Sequence, residues 1–107
     1  MTVALLLMLA AAAEVTPAPT REEICYARSM ILIEDAMAET GRVAGPSWFI
    51  RDWWDERLTD DQRDDARQAA VKAQVRERMG DDAEAAEAEG QGCVDEAIKA
   101  GAVPGWD

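Results

Sequence analysis

The chain carries two cysteines, Cys25 and Cys93, near the two ends of whatever domain it forms. If they join, they close most of the polypeptide into one loop and bring its first and last segments together. Whether they join depends on compartment, because disulfides persist in oxidising surroundings and are rare in the reducing cytosol. The N-terminus bears on that point. Val3–Ala13 is an uninterrupted apolar run, within the roughly 7–15 residues of a signal-peptide core. It is well short of the roughly 20 residues of a membrane-spanning helix. Ala11, Ala12 and Ala13 supply the small residues that cleavage requires, and Glu14-Val15-Thr16-Pro17 then changes character at once.

Residues 1–13 are therefore predicted to be a signal peptide, 14–19 a disordered lead, and 20–107 a single helical domain, exported to the periplasm or secreted. No Lys or Arg precedes the apolar run, and two alternatives stay open: a buried N-terminal helix of a cytosolic protein, and an uncleaved anchor. With export, an even cysteine count reads as a disulfide, and two cysteines allow one intramolecular pairing, Cys25 with Cys93. Buried free thiols are the alternative.

A bridge would matter energetically. A domain this short buries only about two-thirds of the surface that its unfolded chain exposes. Its large apolar side chains cluster in Ile24–Met37 and Trp48–Leu58, while the later segments are rich in alanine. Closing so long a loop is worth about 4 kcal/mol in the chain-entropy model, close to the lower end of a domain's whole net stability.

The periodicity is helical throughout. Thr20-Arg21-Glu22-Glu23 is a capping box, in which Thr20 and Glu23 satisfy each other's backbone amides. It opens a helix to Thr40 whose apolar arc holds Cys25, Tyr26, Ser29, Met30, Leu32, Ile33, Ala36 and Met37, with Arg28, Asp35, Glu39 and Arg42 opposite. Gly41 suits a left-handed C-terminal cap. Ser47 is expected to cap a second helix, Trp48–Leu58, with Phe49, Ile50, Trp53, Trp54 and Leu58 on one side. Thr59-Asp60-Asp61-Gln62 repeats the box pattern and is expected to open a third helix, running to Met79 with Gly80 as its stop. That helix has an alanine side (Ala66, Ala69, Ala70, Ala73) and a larger stripe of Val71, Val75 and Met79. A fourth helix from Asp81 or Asp82 to Ala100 would present one small-residue face through Ala86, Gly90, Cys93 and Ala97. Gly90 and Gly92 each cost about 1 kcal/mol in a helix interior, so a break there is the competing expectation. The expected class is all-α: a compact domain of three to four helices with one disulfide.

The charge excludes some functions. The chain carries 22 acidic and 11 basic residues, a net −11, which repels phosphate backbones and anionic lipid headgroups. Nucleic-acid and membrane-surface partners are not expected. There is no histidine, which removes Ser–His and Cys–His catalysis and every histidine-based metal site. Asp60, Asp61, Asp64 and Asp65, and then Asp81, Asp82 and Glu84, invite a calcium reading. Neither set matches an EF-hand loop, and Arg63 and Arg67 interleave the first at ion-pairing distance along a helix. No metal, cofactor or catalytic residue is predicted, and the chain is not expected to be an enzyme. Trp48, Phe49, Trp53 and Trp54 are a dense aromatic run in so small a chain. They are either a partner-binding patch for another protein, since aromatics dominate interface energetics, or the core volume that the alanine-rich helices lack.

The layout resembles that of small exported bacterial helical proteins with one long-range disulfide, and among them the periplasmic acid-stress chaperones. The carriers are the apolar leader, Cys25-Tyr26 in an early helix, the run Trp48–Trp54, and Cys93 in a late helix. An uncharacterised family of similar exported proteins fits the same pattern. The chaperone resemblance implies a fold that loosens at low pH, remains tied by its disulfide, and offers apolar side chains to unfolded clients.

Overall fold

The computed structural model describes residues 18–106. The expected leader and most of the expected disordered lead lie outside the described residues. Among the described residues four α-helices follow one another: α1 (Arg21–Thr40), α2 (Gly45–Asp55), α3 (Asp65–Asp81) and α4 (Ala83–Lys99), with a 3-10 turn at Asp61–Arg63 before α3. No strand occurs among the described residues.

Helix α1 forms as its ends dictate. The Thr20 hydroxyl accepts from the Glu23 amide at 3.2 Å, and the Glu23 carboxylate accepts from the Thr20 amide at 3.0 Å. At the other end Gly41 takes φ 73° and donates its N–H to Met37 O. A backbone turned this way excludes most side chains but not glycine.

The remaining boundaries differ from expectation by a few residues. Helix α2 starts at Gly45 with Pro46 in its first turn and no side-chain cap. Ser47 does not cap it, because it already lies inside the first turn, its N–H donating to Ala44 O. Proline is at ease there, since first-turn amides have no intrahelical acceptor. The helix also stops sooner, at Asp55, and Leu58 closes the following turn through its amide to Asp55 O. The Thr59–Gln62 box does form, with Thr59 N donating to Gln62 Oε1 at 2.9 Å and Gln62 N to Thr59 Oγ1 at 3.3 Å. It caps only the 3-10 turn. Asp64 then breaks the helical path and caps α3 itself, accepting from Arg67 N at 3.0 Å. Gly80 is helical and stops nothing; Asp82 ends α3 and caps α4 through the Ala85 amide. Helix α4 runs unbroken through Gly90 and Gly92. Gly101, at φ 88°, then sends the chain back so that Ala102 N reaches Ala97 O and Val103 is buried.

The largest departure concerns α1. A single apolar arc would bury one side, yet the buried positions are 23, 25, 27, 29, 31 and 33. Such alternation along a helix means that two sides are covered. On one, Cys25 joins Ile50 and Trp54 of α2, Cys93 and Ala97 of α4, and Val103. On the other, Ala27 and Ile31 pack on Val71 and Val75 of α3. Helix α1 is thus the central element. Leu32 and Met37, expected on the buried arc, are exposed, and of α3's two stripes the valine one is buried while Ala66, Ala69 and Ala73 face outward.

Cys25 and Cys93 are bonded, 68 positions apart in sequence with Cα atoms 5.4 Å apart. The small-residue face of α4 is what permits this approach: Ala97 beside the bridge is fully buried, and no bulky side chain intervenes.

Candidate functional site

The four aromatic residues singled out in sequence divide into two pairs. Trp54 is 1 % exposed and donates its indole N–H to the Cys93 carbonyl at 3.2 Å. Trp53 stands edge-on to it, ring centroids 4.7 Å apart, with the Arg57 guanidinium over its other side. These two belong to the core and its margin. Trp48 and Phe49, one turn earlier, are 41 % and 47 % exposed. Arg51 lies 4.9 Å from the Trp48 ring, a cation–π arrangement that steadies the indole without covering it. Phe49, expected on the apolar side of this helix, is exposed although Trp53 lies four residues on, so the split follows position along α2, with the exposed pair in its first half and the packed pair near its end.

Two grooves flank α1. The first, of about 170 Å³, lies against α3 and is lined by Tyr26, Met30, Leu58 and Ala69 among others. Glu23 closes one end. Its carboxylate is 4 % exposed and takes a bidentate contact from Arg67, with Nη2 at 2.8 Å from Oε1. The Arg67 hydrogen bond holds the Glu23 carboxyl below its ordinary range; burial opposes this, and the Thr20 amide assists it. Farther along the same seam, Glu34 is lowered chiefly by Lys72, at 2.6 Å, against burial and with help from Arg76, which also reaches Asp35. Burial raises the Tyr26 phenol, with Asp55 adding to the effect.

The second groove, of about 210 Å³, runs between α1 and α4 with Ile50 of α2 at one side. It holds a feature that sequence reasoning missed. Arg28, expected on the solvent side of α1, reaches across to α4, and its Nη1 is buried with no hydrogen-bond partner among the described residues. The groove accepts the guanidinium because residue 90 is glycine. A Cβ at that position would overlap Nη2 and stand 3.0 Å from both Nε and Cζ. Gly90 was legible only as a small residue on α4; nothing in the local sequence links it to Arg28.

Among the described residues no cluster of three or more His, Cys, Asp or Glu is arranged to hold a metal ion. No helix among them is long and apolar enough to cross a membrane. Together these elements define an all-α domain tied by one disulfide, with an aromatic surface on α2 and a groove between α1 and α4 that holds Arg28. No known protein family matches the chain, and neither a curated protein nor a solved structure does so.

Proposed function

We propose that this chain is an exported, non-catalytic protein of the cell envelope that binds another protein through the exposed aromatic end of α2. The observation that carries the reading is the adjacent exposure of Trp48 and Phe49. Large rigid aromatics left in water are what protein interfaces use as anchors, since they bury much area at small entropic cost. Met37, near the end of α1, is exposed as well. Export is supported by the apolar leader in the sequence and by the Cys25–Cys93 bond, which a reducing cytosol disfavours.

The test is photo-crosslinking in living cells, with a photoreactive residue at Phe49 and, as control, at the exposed Glu84 on α4. A discrete adduct at position 49, absent at position 84 and lost with Trp48→Ala, is expected. Identical patterns at the two positions would end the reading. Export is checked separately by intact mass with and without reductant. The expected species lacks residues 1–13 and gains 2 hydrogens on reduction, one on each of the 2 cysteines.

A second reading, an acid-responsive chaperone, is favoured by the α1–α3 seam. Glu23 and Glu34 join those helices through ion pairs and have lowered pKa values. Protonating them would loosen the seam while the 22 carboxylates together swing the charge from −11 toward about +11. Self-repulsion would expand the fold, and the disulfide would keep the chain tied. Aggregation of a model client at pH 2–3, followed with and without the protein, decides it: equal turbidity removes the reading.

A further inference from the structure

We infer that the groove between α1 and α4 is a binding site for a small monocarboxylate with an apolar tail, the carboxylate engaging Arg28. The inference rests on the groove alone and is independent of the aromatic end of α2.

Three observations converge. First, Arg28 Nη1 is buried and unpartnered among the described residues. Most other cations here are matched: Arg67 with Glu23, Lys72 and Arg76 with Glu34, Arg78 with Glu89, and Arg21 with Glu96. A guanidinium nitrogen withdrawn from water without an acceptor is costly. In a chain with twice as many acids as bases, an unmatched buried cation is not explained by a shortage of carboxylates. Second, Gly90 provides a cradle that any side chain would fill. The guanidinium is thereby fixed against α4, so little further ordering is required when an anion meets its planar fork. Third, apolar side chains, Leu32, Ile50 and Val94, line part of the same space, beside the polar Ser29, Glu87 and Gln91. Its volume of about 210 Å³ exceeds the roughly 150 Å³ of cavities that take up benzene. A carboxylate carrying five to seven carbons or one ring is therefore the matching chemistry. Polyanions are disfavoured by the overall charge of −11, which repels each added negative charge.

Glu87 also lines the groove without forming an ion pair to Arg28. It is the internal competitor: if its side chain swings onto the guanidinium, it takes the place of the ligand. This gives the experiment a second arm.

The probe is hexanoate, titrated into the disulfide-bonded protein at low ionic strength, with amide and arginine Nε–H NMR shifts as the readout. Hexanol tests the need for charge and acetate the need for a tail. Saturable shifts of Arg28 Nε–H and of the Leu32 and Val94 amides are expected with hexanoate, at least tenfold weaker with hexanol and with acetate. Arg28→Met should abolish them while leaving the rest of the spectrum in place. Gly90→Ala, which displaces the guanidinium without removing it, should weaken hexanoate at least tenfold; Glu87→Gln should tighten it. Hexanoate binding that survives Arg28→Met overturns the inference. So does the absence of binding in both the wild type and Glu87→Gln, which would leave Arg28 a structural residue satisfied by water.

Discussion

A carboxylate as buried as that of Glu23 stays charged only while a cation remains beside it, and here Arg67 fills that role from α3. Because the folded pKa is depressed from 4.5, the associated stability is fully present above the unfolded value. It is lost as the pH falls below about 4.5 and through the folded value. Glu34 acts in the same direction. Urea midpoints measured from pH 7 to pH 2 should therefore drop steeply in acid, and Glu23→Gln combined with Glu34→Gln should lower the neutral-pH midpoint and flatten the fall. Curves that stay parallel would show that this seam does not set the acid response. Trp54 is the other residue on which much depends. It is buried beside the disulfide with its indole N–H satisfied by Cys93 O, so Trp54→Ala should cost about 3–5 kcal/mol in denaturant unfolding. Trp48→Phe, on the exposed end of α2, should change stability by no more than about 0.5 kcal/mol while removing one of the two acrylamide-accessible components of tryptophan emission, the other being that of the exposed Trp106.

At the level of the helices, what could be read from sequence followed local chemistry, and what could not followed neighbours. The Thr20 box and Gly41 delimit α1 as expected, because each acts within one turn of chain. The start of α3 differs from the sequence expectation because two capping signals lie five residues apart, Thr59 and Asp64, and local rules do not rank them. Ala27 and Ile31 lie off the one-sided apolar arc of α1 yet are buried, while Leu32 and Met37 lie on it yet are exposed. A one-sided periodicity cannot represent a helix flanked by two others. Arg28 reads as solvent-facing for the same reason, and its packing against Gly90 joins positions far apart in the chain. The small-residue face of α4 was visible, but not what would occupy it. Gly80 and Gly92 are helical, with open space where a Cβ would go. Replacing either with alanine should stabilise the domain by roughly 0.5–1 kcal/mol, measurable as a rise in thermal midpoint. A loss of stability at either position would mean that the helix bends there.

For the molecule as a whole, the two clusters on either side of α1 are each modest: one rests on Trp54 and the disulfide, the other on two valines, an isoleucine and an alanine. The bond closing 68 positions is worth about 4 kcal/mol in the chain-entropy model. The reduced protein should accordingly show a much lower urea midpoint, and substituting both cysteines by serine should reproduce that loss. Both sulfur-bearing residues lie almost wholly out of solvent, packed with Trp54, Ile50 and Ala97. Thiol reagents must reach a sulfur atom to exchange with it, and here they need the packing around the bridge to open. The linkage is consequently a clock as well as a tie: its half-life in mild dithiothreitol counts how often the domain breathes, and a brief exposure to reductant leaves it whole.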